Sequence, residues 1–306
     1  MSTPSNRPIH GIIVPLASPL TAADRLDESA LEKLVDHVIA GGVDGLFLLG
    51  TCGEGVSLSH RLQRQLVERV CRQAAGRVAV LVCVTDVSSA ESGALAQFAA
   101  DAGADFAVAA PPFYLPLSQQ ELADYAVKLA ARCPLPLVLY NMPDLTKVPI
   151  EPATVRRLMD QPRIVGIKDS SGDLAYFEHL CRLSRQRTDW SLLMGPEHLL
   201  ADAIALGAQG GVAGGANLFP RLFVDICNAA RSRDPRLARL VELASRLNDV
   251  YGDETSSAAT VIKGLKAGLA ALGIGNGLPA EPLAPLPAAD QARVESTVRR
   301  LAQELR

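Results

Sequence analysis

The sequence predicts an α/β fold, a (β/α)8 TIM barrel followed by a C-terminal helical cap, and three observations carry that expectation. Between Gly11 and Val212, short β-branched or leucine-rich runs alternate with longer amphipathic stretches, each pair occupying roughly 30 residues. Eight such runs are present, the number that closes a parallel barrel. After the eighth, the pattern becomes helix alone. An open doubly wound sheet is the competing arrangement, and the missing G-x-G-x-x-G after the first run argues against it.

The expected strands are, in order, "GIIVPL" from residue 11, "GLFLLG" from 45, "VAVLVCV" from 78 and "DFAVAA" from 105. They continue with "LPLVLY" from 135, "RIVGIK" from 163, "SLLMG" from 191 and "GGVAG" from 210. Helical patterns lie between them, such as "DESALEKLVDHVIAGG" and "SHRLQRQLVERVCRQAAG"; the first carries acidic residues in its opening turn and glycine at its end. The barrel core is expected over 1–216. The last barrel helix and a helical region packed on the barrel are expected over 217–306. Within that region helices run from Asn217 to about Arg231, from about Pro235 to Tyr251, from Thr255 to Leu272 and from Ala288 to Leu305. The stretch "GLPAEPLAPLP" is too short for an interdomain linker and reads as an extended segment laid across the surface.

Composition narrows the function classes. With 48% hydrophobic and 21% charged residues, the 306-residue chain has the make-up of a folded protein with a large core. A net charge of −3 and the lack of any Lys/Arg-rich block argue against nucleic acid as a partner. The amino terminus lacks the charged and unbroken apolar regions of a signal peptide, and no apolar stretch has the length of a membrane span. Six cysteines are scattered without a C-x-x-C pair, which fits reduced thiols and a cytoplasmic location. Five histidines form no H-x-x-x-H pair and sit near no cysteine cluster, so no zinc site is expected; no cofactor is expected either.

In a (β/α)8 barrel the active site forms at the carboxyl ends of the strands. There the sequence sets "LGTCGEG", "AAPPFY", "VLYNMP" and "GIKDSSGD". Alternation along the sixth strand puts Ile164, Gly166 and Lys168 on one face, with Gly166 leaving room beneath the lysine stem. The same count pairs Val138 with Tyr140 and Leu49 with Thr51, so three polar groups converge on one cavity. An amine attacks carbon only as the free base, a form that water disfavours at neutral pH, so a nucleophilic lysine belongs in a buried place such as a strand end. The structural alternatives are that Lys168 pairs with a loop carboxylate such as Glu54 or Glu197, that Tyr140 is a core aromatic, and that Thr51 is a turn residue.

Taken together and in this order, "GTCGE", "PPFYLPLS", "YNMP" and "GIKDSSGD" resemble the dihydrodipicolinate synthase and N-acetylneuraminate lyase family of pyruvate-dependent class I aldolases, over nearly the whole chain. The resemblance implies that Lys168 forms a Schiff base with the 2-oxo carbon of pyruvate or of a substrate that releases it. It implies that Tyr140 is the acid/base, that Thr51 relays its proton, and that Tyr114 completes the relay, in some members from a neighbouring subunit. Cys52, Gly53 and Val212 match the pyruvate site, with Gly211 and Ala213 beside the last. Ser170, Glu197, His198 and Gly214 match positions that hold sugar hydroxyls. A homo-oligomer follows, with a tetramer the first expectation.

Three residues depart from the family pattern. Cys52 stands where many members carry threonine or serine, leaving the carboxylate to backbone donors. Leu145 occupies the place of an arginine with which the synthases grip a second carboxylate, and Lys147 follows two residues on. Gly214 replaces a serine typical of sialic acid lyases. The expected activity is therefore a lyase acting on a hydroxylated 2-oxo acid of the 2-oxo-3-deoxy sugar acid type. The alternatives are 4-hydroxy-tetrahydrodipicolinate synthase, a Schiff-base dehydratase, and a non-catalytic metabolite-binding paralogue.

Overall fold

The computed structural model describes residues 8–252 and 257–305. Eight parallel strands close into a barrel: β1 (Gly11–Pro15), β2 (Gly45–Leu48), β3 (Ala79–Cys83), β4 (Phe106–Ala109), β5 (Leu137–Asn141), β6 (Ile164–Asp169), β7 (Ser191–Met194) and β8 (Gly210–Val212). Each strand lies beside its neighbours in sequence, and β1 pairs with both β2 and β8, closing the ring. Six fall inside the expected runs, and β5 and β6 each run one residue further, to Asn141 and Asp169. Helices on the outside and side chains within cover both faces of these strands, which is why they read as continuous apolar runs.

The outer helices start where their caps place them. Asp27 accepts the Ala30 N–H at 3.0 Å and opens the helix Glu28–Ala40. Ser59 does the same for Leu62 and opens His60–Ala74. Ser118 and Glu121 form a reciprocal capping box at the start of Gln119–Arg132. A short hairpin, Leu20–Ala22 against Arg25–Leu26, follows β1 and was not evident from sequence periodicity.

After β8 the chain forms the helices Pro220–Ser232, Leu237–Ser245, Asn248–Tyr251, Ala258–Ala271 and Ala288–Glu304. The single helix expected from about Pro235 to Tyr251 is thus two. The Leu247, Asp249 and Val250 N–H groups bond three residues back rather than four, and this tightening brings both Leu247 and Val250 into the core. The expected helix start at Thr255 lies outside the described residues. Ser257 caps the described part.

The proline-rich segment is extended as expected but is not wholly superficial. Pro279 and Ala280 are buried, and the Ala280 N–H donates to the Glu54 carboxylate at 2.6 Å.

Three features of the strands differ from those expected. A bulge falls between the pairs Leu137–Ile164 and Val138–Gly166, so Ile164 leaves the face shared by Gly166 and Lys168. Gly166 does not leave room for the lysine: a side chain there would collide with the Ser191 carbonyl of the neighbouring strand, so glycine is what permits this strand pairing. Strand alternation also fails for Leu49 and Thr51. β2 ends at Leu48, and Leu49 adopts a left-handed φ of 59°, so Thr51 reaches the barrel mouth from a turn.

Candidate active site

Strand pairing brings the central residues together. Lys168, near the carboxyl end of β6, lies opposite Tyr140 at the end of β5. Its Nζ is 3.9 Å from the Tyr140 ring centroid and 5.0 Å from that of Phe47 on β2. The two rings meet edge to face at 6.0 Å, which fixes both against the lysine stem. The Tyr140 hydroxyl lies 3.2 Å from Thr51 Oγ1, a hydrogen bond in which either group can donate.

No ion pair or hydrogen bond to Lys168 is formed among the described residues, although the lysine is buried. Both loop carboxylates weighed as its partner are engaged elsewhere. Glu54 pairs with Lys266. Glu197 accepts the Gly215 N–H at 2.6 Å and the Tyr251 hydroxyl at 2.9 Å. Beside Lys168, the Asp169 carboxylate is taken up by Asn141 at 2.8 Å and by the Ser171 hydroxyl at 2.9 Å. Burial pushes the Asp169 carboxyl above its ordinary range, and these donors oppose that shift. Asn141 also accepts the Ile150 N–H, so one buried network fixes the ends of β5 and β6 that carry Tyr140 and Lys168.

The turn after β2 supplies the second wall. The Glu54 N–H bonds the Thr51 carbonyl at 3.0 Å, and Ser18 donates to the Gly53 carbonyl at 2.7 Å. The N–H groups of Thr51, Cys52 and Gly53 donate to no protein acceptor among the described residues. Three successive free donors on a glycine-containing turn suit an anion. The half-buried Cys52 thiol is pushed up to about 11, burial being the main cause, so at neutral pH it is a neutral wall and not a charged one.

The third wall comes from the other side of the barrel. Val212 is buried at the end of β8, and Gly214 opens the short helical turn that follows. A side-chain carbon at Gly214 would lie 3.6 Å from both Cys52 Sγ and Glu197 Oε2, so glycine leaves a small space between these groups. Burial raises the Glu197 carboxyl above its ordinary range, partly offset by its two hydrogen bonds. Ser170 follows β6 directly, its N–H on the Asn141 carbonyl at 2.8 Å and its hydroxyl against Gly195.

Lys168, Tyr140 and Thr51 therefore form one contact cluster, and Cys52, Gly214 and Glu197 form a second that adjoins it at the turn. His198 is exposed and makes no hydrogen bond among the described residues. Tyr114 stands apart: it is 91% exposed, with a left-handed φ of 80°, and no hydrogen bond joins it to Thr51 or Tyr140 within the chain. Lys147 is exposed and donates to the Asp144 carbonyl, which fits a surface role. Leu145 is 46% exposed.

Two contributors were missed from sequence. Phe47 lies within an apolar strand run and carries no motif. Tyr251 falls in the cap, where nothing in its spacing ties it to Glu197. Its hydroxyl is pushed well above the ordinary tyrosine range by burial and by the Glu197 charge, which keeps it a donor.

Comparisons with known proteins agree with this architecture. The dihydrodipicolinate synthetase family model matches residues 8–301. A probable 2-dehydro-3-deoxy-D-pentonate aldolase of Escherichia coli strain K12 is 36% identical over 80% of this chain and 82% of its own. The solved dihydrodipicolinate synthase of Bacteroides thetaiotaomicron is 42% identical, covers 96% of this chain and 99% of its own, and superposes with a TM-score of 0.91. YagE, an E. coli K12 prophage protein of the dihydrodipicolinic acid synthase family solved in complex with pyruvate, is 28% identical over 96% of this chain and 99% of its own, with a TM-score of 0.89. No helix among the described residues is long and apolar enough to cross a membrane. A closed (β/α)8 barrel and a family match over nearly its whole length make this chain a member of the dihydrodipicolinate synthetase family, and with it a lyase of the class I aldolase type.

Proposed function

We infer that this lyase uses Lys168 to form a Schiff base with a 2-oxo acid, and that it cleaves or forms a hydroxylated 2-oxo acid of the 2-oxo-3-deoxy sugar acid type. The observation that carries this is a buried lysine with no ion-pair partner among the described residues, held against the hydrogen-bonded pair Tyr140–Thr51.

In the cleavage direction, the Lys168 amine attacks the 2-oxo carbon, and with uptake of one proton water leaves, giving an iminium. Tyr140, relayed by Thr51, takes the proton of the hydroxyl at C4. The C3–C4 bond breaks, an aldehyde departs, and the electron pair of the broken bond enters the iminium to give an enamine. Protonation at C3 and hydrolysis then release pyruvate and restore the amine. The free N–H groups of Thr51 to Gly53 hold the carboxylate, in a turn where Cys52 adds only a weak side-chain donor.

Leu145 and the walls at Glu197, Ser170, His198 and Gly214 support a sugar acid. An apolar residue at 145 offers nothing to a second carboxylate, whose unpaired burial is costly. Glu197 and Ser170 present polar atoms to hydroxyls, and the similarity to an E. coli pentonate aldolase points the same way. A second reading, 4-hydroxy-tetrahydrodipicolinate synthase, is favoured by the 42% identity to the B. thetaiotaomicron synthase. A homotetramer is the expected assembly. The exposed Tyr114, beside exposed Val87 and Leu115, supports contact between copies of the chain.

A screen of pyruvate release from a panel of 2-oxo-3-deoxy acids tests the substrate class. Release from one or more members is expected. Inertness toward the whole panel, with consumption of pyruvate and aspartate semialdehyde instead, would replace the sugar-acid function by the synthase.

A further inference from the structure

One buried charged pair has no part in the proposed chemistry, yet it grips the turn that carries Thr51. Glu54 follows Gly53 directly, sits in the left-handed region at φ 54°, and is 3% exposed. One carboxylate oxygen pairs with Lys266, itself 3% exposed, on the helix Ala258–Ala271. The other accepts the Ala280 N–H at 2.6 Å, from the proline-rich segment that follows this helix. The Glu54 N–H holds the Thr51 carbonyl, and Thr51 Oγ1 holds the Tyr140 hydroxyl. Burial pushes the Lys266 amine below its ordinary range, and the Glu54 carboxylate opposes that shift.

We propose that Glu54 and Lys266 are positioning residues for substrate-carboxylate binding: their buried ion pair clamps the turn 51–53 to the C-terminal helix, so its free N–H groups keep the geometry that receives the carboxylate. Without the clamp the turn keeps its backbone bonds and the Ser18 contact to Gly53, but the left-handed Glu54 loses the buried partner that ties the turn to the C-terminal helix. Lys168, Tyr140 and Phe47 stand on strands fixed by the barrel ladder and by the Asn141–Asp169 network, so they keep their places when the turn loosens. The effect is therefore selective: recognition of the carboxylate suffers while the amine stays reactive. This inference rests on the Schiff-base reading of Lys168.

The test compares two carbonyl probes, pyruvate and hydroxyacetone, the second carrying an alcohol in place of the carboxylate. Borohydride trapping at Lys168 is measured against probe concentration for the wild type, for Lys266→Met and for the double variant Glu54→Gln/Lys266→Met. The double variant removes both charges at similar volume and keeps an acceptor for Ala280, so it folds even where the single variant strands a buried carboxylate.

Both variants are expected to need at least tenfold more pyruvate for half-maximal trapping, while hydroxyacetone trapping stays within about twofold of wild type. The double variant trapping pyruvate like wild type, or losing both probes equally, would overturn the clamp and leave the role of Lys168 standing. A wild type that traps neither probe would overturn the Schiff-base reading and this inference with it.

Discussion

Lys168 and Lys266 are both almost wholly buried, at 6% and 3% exposure, yet their amine ends meet opposite surroundings. Lys266 meets a carboxylate that is also buried and bonded to a third group, Ala280. Lys168 meets two aromatic rings and no carboxylate among the described residues, because each nearby acid is consumed by another donor. A lysine removed from water and paired is part of the frame. A lysine removed from water and left unpaired at a barrel mouth is available for chemistry, and the frame around it is arranged to keep competing acids away. Identical side chains at similar burial are thus told apart by where their neighbours' hydrogen bonds go.

The contrast breaks most sharply in activity. Lys168→Met is expected to lower turnover of the proposed sugar-acid substrate on the order of 10⁴-fold or more, the scale of removing a covalent nucleophile, as measured by steady-state pyruvate release. Tyr140→Phe keeps the ring beside the lysine and removes only the hydroxyl, so kcat should fall by about 10²- to 10⁴-fold with little change in KM. A loss confined to KM would assign Tyr140 to binding.

The contrast reverses in stability. Lys266→Met strands the Glu54 carboxylate and should cost about 3–5 kcal/mol in urea unfolding. Lys168→Met strands no partner charge and should stay within about 1 kcal/mol of wild type. Equal losses would erase the distinction between the two lysines.

The smallest effect concerns pH. The Glu197 carboxyl is raised in the folded chain, which therefore holds this proton more tightly than the unfolded chain does. Stability from this group is complete below the ordinary carboxyl range and is lost as pH rises through the raised value. Glu197→Gln should flatten that part of the stability profile measured by urea midpoints, and an unchanged slope would show that Glu197 ionises as it does in water.

The strands of this barrel were legible because each is covered on both faces and so keeps an unbroken apolar run. Lys168 and Tyr140 were legible because motif order and alternation agree at a strand's end, where alternation still holds. Alternation failed at Thr51, since a left-handed Leu49 takes the chain out of the strand. It failed at Ile164, since a bulge inserts a residue without leaving a mark in the apolar pattern. Lys266 in "IKGLKAGL" reads as an ordinary helix-face lysine, and only the fold brings it to Glu54. Tyr251 was hidden for the same reason: its partner Glu197 belongs to a different part of the chain. The two cap helices Leu237–Ser245 and Asn248–Tyr251 look like one in the sequence because the tightened turn between them shifts the buried face without interrupting the periodicity.

The central claim is that burial without an ion-pair partner makes Lys168, and not Lys266, the reactive amine. Borohydride reduction in the presence of pyruvate, followed by peptide mass mapping, tests it in one measurement. A reduced pyruvyl adduct on Lys168 alone is predicted; an unmodified Lys168, or an adduct on Lys266, would contradict it.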